Sequence, residues 1–264
     1  MDLEYKIYSA TGNILAITES LFPREEITGF CLKHSLDGIL CLSDCPLADV
    51  FMRIFNSDGS EAEMCGNGLR VAVQYLFSKT SKISYNISTL SGIYKGYVDK
   101  ETIVVNMARS SWDFRKDICI TYENRNYFCH FINTGVPHVV VFVDDMHVDV
   151  QKLGAAIRFS KVFSPEGVNV NFVFRIEDSQ GSLFVRTYER GVERETGACG
   201  TGATAAALIA SKIYGLSSPI KILTAFKECL TISFDFLWSK VLVGGKVDLI
   251  KEGTFCLNTD VIKC

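Results

Sequence analysis

Apolar residues in this chain fall into two rhythms: short alternating or continuous runs, and two longer runs with few helix breakers. Positions 3–17 alternate and then turn apolar around Thr11-Gly12-Asn13, which predicts two strands joined by a turn. Short runs at 39–42 and 51–55 predict core strands, the second ending in the turn-rich Asn56-Ser57-Asp58-Gly59-Ser60. Strands are also predicted at 83–89, 93–98 and 102–107. The second half reads similarly, with strands at 118–122, 127–133, 139–143, 169–176 and 183–188 and a helix at 151–159. Strands follow at 220–224, 230–234 and 240–244, and the closing stretch 253–264 is strand-like. The two longer runs, 69–77 and 203–213, predict helices apolar on nearly every face, so each is expected to be wrapped by sheet.

Each long run is entered through the same motif. Cys65-Gly66-Asn67-Gly68-Leu69-Arg70 opens the first, and Cys199-Gly200-Thr201-Gly202-Ala203-Thr204 opens the second. The two cysteines stand 134 positions apart in a chain of 264, close to half its length. Strand, loop, Cys-Gly-x-Gly, helix and further strands therefore occur twice, the mark of a duplicated unit. An α+β fold of two pseudo-symmetric domains is predicted, with the boundary in the polar stretch 110–117. The domains are 1–115 and 116–253, with the strand at 254–264 returning to the first.

Composition narrows the partners. Twenty-seven basic and 30 acidic residues leave a net charge of −3, and with no basic block nucleic acid is not an expected partner. The N-terminal Met1-Asp2-Leu3-Glu4-Tyr5-Lys6 lacks the basic-then-apolar layout of a signal peptide, and no apolar stretch reaches the ~18 residues of a membrane span. The ten cysteines form no Cys-x-x-Cys pair and no Cys/His ligand spacing, so no metal is expected. A reducing, cytoplasmic setting is expected, with most thiols serving as small apolar residues.

Cys65 and Cys199 are different because of what surrounds them. Glycines let a ligand approach bare backbone, and the first N–H groups of a helix lack intrahelical partners, so they can hold an anion. The same helix end is expected to lower a thiol's pKa. Two such thiols facing one carbon from a cleft between two domains could take a proton from one side and return it on the other, one as thiolate and one as thiol. A substrate carboxylate would be gripped by the N–H groups of Gly66, Asn67, Gly200 and Thr201, easing loss of the α-proton. The residues thus point to cofactor-free inversion of an amino-acid stereocentre.

At these motifs the sequence resembles the diaminopimelate epimerases. The matching segments are Asn56-Ser57-Asp58-Gly59-Ser60, Met64 to Arg70, Glu189-Arg190-Gly191 and Glu195-Thr196-Gly197-Ala198-Cys199-Gly200-Thr201-Gly202. Thr11-Gly12-Asn13, Gly135-Val136-Pro137-His138 and Gly167-Val168-Asn169 match further, in the family's order and over most of the chain. The resemblance implies curled, mostly antiparallel, barrel-like sheets, each around its central helix. It implies Cys65 and Cys199 as the acid/base pair, poised by His138 and Glu189. Glu189 and the Arg190 backbone would hold the reacting amino group, while Asn13, Asn56, Asn169 and the Arg190 side chain would read the distal groups. It further implies no pyridoxal phosphate or metal, a homodimer, and a role in lysine and peptidoglycan precursor synthesis.

Four departures from that pattern concern the substrate's far end. Val136 stands where the family usually has a substrate-binding asparagine, and Gly38 where a polar side chain is common. Ile14-Leu15 replaces Asp-Phe, and the segment between Glu189 and Cys199 is one residue longer. Loosened distal recognition is expected, with the catalytic centre intact. Other readings are a proline or hydroxyproline racemase, disfavoured because those relatives carry Cys-Gly-His where this chain has Cys65-Gly66-Asn67, and a cysteine-nucleophile hydrolase or transferase with His138 as base. A dedicated thiol–disulfide pair is not expected at this separation. His34, His130 and His147 are read as surface or core residues, Asn56 is also compatible with a simple turn role, and Arg70 reads as an ordinary exposed helix arginine.

Overall fold

The computed structural model describes residues 2–109, 111–176 and 181–256. It divides into two compact units, the first taking the described residues up to Val105 and from Lys246 onward, the second Asn106–Gly245. Ser110, in the polar stretch between the strands, and the last eight positions of the closing strand-like stretch lie outside the described residues.

Unit 1 contains β1 (Asp2–Ala10), β2 (Asn13–Thr18), α1 (Arg24–His34), β3 (Gly38–Ser43), β4 (Val50–Asn56) and β5 (Glu61–Ala62). It continues with α2 (Gly66–Thr80), β6 (Ser84–Thr89), β7 (Gly92–Asp99) and β8 (Thr102–Asn106). Unit 2 contains β9 (Phe114–Tyr122), β10 (Arg125–Asn133), β11 (Pro137–Phe142), α3 (Val150–Arg158), β12 (Asn169–Arg175), β13 (Leu183–Glu189) and β14 (Arg194–Thr196). Next come α4 (Gly200–Tyr214), β15 (Ile220–Thr224), β16 (Cys229–Phe234) and β17 (Val241–Gly245), after which β18 (Val247–Cys256) returns to unit 1.

The sheet order shows the duplication. In unit 1 it is β18-β1-β2-β3-β4-β6-β7-β8, antiparallel except that β2 runs parallel to β3 and β4 to β6. In unit 2 it is β9-β10-β11-β12-β13-β15-β16-β17, parallel only at β11/β12 and β13/β15. Helices α1 and α3 make the first parallel crossover of each unit, and α2 and α4 the second. The short β5 and β14 each pair with the strand preceding the central helix and deliver the chain to its cysteine.

Local chemistry explains these elements. Thr11 and Gly12 take successive positive φ values of 57° and 79°, the left-handed pair a tight hairpin needs between β1 and β2. The run Gly38–Leu42 is buried at every position because its sheet is covered on both faces. Ile39 and Cys41 face a core shared with Ile27, Phe30 and Cys31 of α1, while Leu40 lies against Gly68 of α2. Unit 2 repeats the arrangement, with Val170 and Phe172 packing with Leu153 and Ile157 of α3 and the intervening Asn171 turned toward Gly202 of α4. Helix α4 buries every residue from Gly200 to Ala210, and α2 every residue from Gly66 to Val73. Each is surrounded by strands of its own unit, so curled sheets around two central helices are what the structure shows.

Candidate active site

The two cysteines occupy the same structural position. Cys65 is the N-cap of α2 at φ −141° and ψ 116°, and Cys199 the N-cap of α4 at φ −128° and ψ 110°. The Gly68 N–H donates to Cys65 Sγ at 3.3 Å, and the Gly202 N–H to Cys199 Sγ at 3.4 Å. Sulfur thus takes the capping role that Ser, Thr, Asn or Asp usually fills, satisfying the N3 donor. The two preceding N–H groups, at Gly66 and Asn67 and at Gly200 and Thr201, belong to the first helical turn and have no intrahelical acceptor. Each helix start therefore presents, beside a thiol, N–H groups of the kind that can hold an anion.

In unit 1, Asn13 opens β2 and Asn56 ends β4, and the register brings their loops together, with Leu15 opposite Gly38 and Gly38 opposite Asn56. Asp37 ties the cluster, accepting from the Ile14 N–H at 2.8 Å through its carboxylate and from the Ser57 N–H at 3.1 Å through its carbonyl. The exposed Asn56 amide donates to Ser60 Oγ at 2.9 Å. Gly38 serves sheet geometry: a Cβ there would lie 2.4 Å from the Phe55 carbonyl oxygen, so this backbone has no room for the polar side chain common in the resembled pattern.

Arg70 corrects the reading of an exposed arginine. It is fully buried, and its guanidinium donates at 2.8 Å to both Thr11 Oγ1 and Asn67 Oδ1, the latter on the first turn of the same helix. A long charged side chain five positions past the cap carries no pattern that separates burial from exposure. Its pairing with Thr11 spans 59 positions and is visible only in the fold.

In unit 2, His138 on β11 and Asn171 on β12 are both fully buried. His138 Nε2 lies 2.9 Å from Thr201 Oγ1, and Thr201 Oγ1 lies 3.3 Å from Cys199 Sγ. Asn171 Nδ2 donates to His138 Nδ1 at 3.0 Å and to the Val139 carbonyl at 2.9 Å, and Asn171 Oδ1 accepts from Thr187 Oγ1 at 3.0 Å. His138 thus addresses Cys199 through Thr201. Burial, aided by the Arg190 charge, pulls its pKa down to about 3, so it stays neutral. A hydrolase in which His138 is the base beside the thiol finds no support here, since both ring nitrogens are already engaged. Asn171 and Thr187 were not recognised as site residues from sequence, where their alternation in strands reads as ordinary polar positions.

Asn169 sits at the start of β12, after Gly167 at φ 67°. Its Oδ1 accepts from the Arg190 N–H at 2.9 Å and its Nδ2 donates to the Pro137 carbonyl at 3.1 Å. The Arg190 guanidinium donates to the Glu166 carbonyl at 3.3 Å. Glu189, the last residue of β13, faces Cys199. The extra residue after it is taken up in a tight turn, where the Glu193 N–H donates to the Glu189 carbonyl at 2.8 Å and Glu193 sits at φ 57°. Val136 lies in the loop between β10 and β11, which rests on α4: Thr134 Oγ1 donates to the Thr201 carbonyl at 3.1 Å.

The helix end does not lower the Cys199 pKa. Burial raises it foremost, and the Glu189 charge and its acceptance of the thiol hydrogen raise it further; the Thr201 hydroxyl and Gly202 N–H oppose this and are outweighed. Burial and the Glu189 charge thus favour the thiol form of Cys199. No cluster of three or more His, Cys, Asp or Glu side chains among the described residues could hold a metal ion. Nor, among them, is any helix long and apolar enough to cross a membrane.

Two equivalent sheet-wrapped helices define a duplicated α+β fold class shared across distant sequences. A phenazine biosynthesis protein of the PhzF family from Bacillus anthracis has the same fold, with a TM-score of 0.76 at 15% identity over 97% of this chain and 100% of that one. Sequence places this chain within the class. Residues 25–112 and 130–227 match the diaminopimelate epimerase family. The chain is 38% identical over 253 residues to the diaminopimelate epimerase of Chlamydia muridarum (strain MoPn / Nigg), covering 95% of this chain and 93% of that one. It is 42% identical over 234 residues to that of Aquifex aeolicus (strain VF5), covering 84% and 82%. The chain belongs to the diaminopimelate epimerase family.

Proposed function

We propose that this protein inverts one α-carbon of L,L-diaminopimelate to give the meso isomer, with Cys65 and Cys199 as its acid/base pair and without a cofactor. The observation that carries the reading is the matched pair of N-caps: two thiols, each held by an N3 amide and each beside two first-turn N–H groups that have no intrahelical acceptor. Family membership supplies the substrate class.

In this mechanism the N–H groups of Gly66, Asn67, Gly200 and Thr201 hold the α-carboxylate and stabilise the charge that develops when the α-proton leaves. The Glu189 carboxylate and the Arg190 carbonyl receive the α-ammonium, which Asn169 supports by fixing the Arg190 N–H. Cys199, kept protonated by burial and by Glu189, delivers a proton to one face of the carbon. Cys65 removes the proton from the other, and the roles exchange in the reverse direction. Asn13, Asn56 and the Arg190 side chain read the distal amino and carboxylate groups. The protein would work as a cytoplasmic homodimer on a small-molecule amino acid, in lysine and peptidoglycan precursor synthesis.

Incubation with L,L-diaminopimelate, followed by chiral separation of the isomers, tests this. Formation of the meso isomer by the wild type, and its loss in both Cys65→Ala and Cys199→Ala, is expected. Full activity in either alanine variant would overturn the two-thiol assignment, and no turnover by the wild type would overturn the substrate.

A further inference from the structure

Four side chains of unit 2 form a hydrogen-bond chain whose direction is set by an atom that cannot donate. The Val139 carbonyl oxygen lies 2.9 Å from Asn171 Nδ2, so that end of the amide is its NH2 group. The second amide hydrogen meets His138 Nδ1 at 3.0 Å, which must therefore present a lone pair. A neutral imidazole with a bare Nδ1 carries its proton on Nε2, and Nε2–H donates to Thr201 Oγ1 at 2.9 Å. Thr201 has one hydroxyl hydrogen, and with its oxygen accepting from His138 that hydrogen is left for Cys199 Sγ at 3.3 Å.

We infer that Asn171 is a positioning residue: it locks His138 in the Nε2–H tautomer, so that the chain Asn171–His138–Thr201 ends with a hydroxyl hydrogen on the Cys199 sulfur. The inference rests on Cys199 working as acid and base. A donated hydrogen bond favours thiolate over thiol, so the chain offsets part of what burial and the facing Glu189 charge do in the other direction. Arg190 is the charge that faces His138, and it too disfavours imidazolium. With the opposite tautomer Nε2 would become an acceptor and draw the Thr201 hydrogen away from sulfur. Gly202 belongs to the same device, since a Cβ there would lie 2.2 Å from Asn171 Oδ1. In unit 1 Asn67 stands at the Thr201 position, and its amide oxygen accepts from Arg70.

The ring nitrogens of His138 can be read directly in the ligand-free full chain labelled with 15N-histidine, the signals being assigned by their loss in His138→Gln. A protonated Nε2 and an unprotonated Nδ1 are expected; a protonated Nδ1 would overturn the inference. Asn171→Asp keeps the shape but places an acceptor against Nδ1, and should invert the tautomer. The rate of iodoacetamide labelling of Cys199 against pH, resolved by peptide mass spectrometry, reads the sulfur. Thr201→Val should raise its midpoint by about one pH unit, roughly a tenfold loss of thiolate at fixed pH, and Thr201→Ser should restore it. A midpoint unmoved by Thr201→Val would overturn the inference even if Asn171→Asp fails to fold. Neither readout involves substrate, so failure here leaves epimerisation standing, and failure of epimerisation leaves this hydrogen-bond chain to be judged alone.

Discussion

Alanine at Gly68 and at Gly202 should have opposite consequences, although both glycines are the N3 residue of a Cys-capped central helix. At Gly202 the added methyl would lie 2.2 Å from Asn171 Oδ1, far inside contact distance. Asn171 cannot step aside freely, because its amide is held by His138, Val139 and Thr187. Overpacking of this kind costs about 1–3 kcal/mol, and each displaced hydrogen bond adds about 0.5–1.5 kcal/mol. The gain from replacing a helical glycine by alanine, about 0.5–1 kcal/mol, offsets part of this. The net destabilisation is about 2 kcal/mol. At Gly68 the methyl would meet the Leu40 Cδ2 atom at 3.0 Å, the end of a flexible side chain, and the same helical gain applies. That substitution should leave stability within about 0.5 kcal/mol of wild type. Urea unfolding of the two variants beside wild type, followed by far-ultraviolet circular dichroism, gives the comparison. Equal destabilisation at both sites, or a neutral Gly202→Ala, would refute the argument that Asn171 is fixed against α4.

Acid should expose the buried imidazole. With the folded pKa of His138 near 3 against an ordinary 6.5, folding is fully supported above pH 6.5. Below it, stability falls by about 1.4 kcal/mol per pH unit, until the folded group itself titrates. The slope should be shallower by that amount in His138→Gln, measured by unfolding between pH 6.5 and 4.5, and an identical slope would mean His138 is not held neutral. Val136→Asn should restore a hydrogen bond worth about 1 kcal/mol, or 1.5–3 if its substrate partner is charged. The ratio of kcat/KM for diaminopimelate over glutamate should then rise severalfold, whereas an unchanged ratio would mean position 136 does not read the far end of the substrate.

The duplicated plan was legible because each half carries a largely buried helix behind a cysteine cap, and the run 203–210 has no face to place in water. Strands covered on both sides, such as Gly38–Ser43, were legible for the same reason. Helix α1 was missed: its buried face is only Ile27, Phe30 and Cys31. The repeat itself could have found it, since α3 stands at the equivalent crossover, and Pro23, Glu25 and Glu26 before Lys33 and His34 give the charge polarity of a helix. At the site, the two caps were readable from local spacing. The Asn171–His138–Thr201 chain and the Arg70–Thr11 bond were not, because they join residues 33 to 63 positions apart through neighbouring strands and a helix end. The expected lowering of the Cys199 pKa failed for a related reason. Glu189 and the depth of burial are tertiary facts, and together they outweigh the helix end.

The most direct test of two thiols acting from opposite faces follows hydrogen at the reacting carbon. L,L-diaminopimelate is turned over in deuterated water, and both pools are examined by NMR and mass spectrometry at early conversion. If one thiol removes the proton and the other supplies its replacement, the first meso product carries solvent deuterium at the inverted carbon while unreacted substrate remains protiated. Early product that retains the substrate's own hydrogen would mean a single group carries the proton across, and the paired-cysteine account would fall.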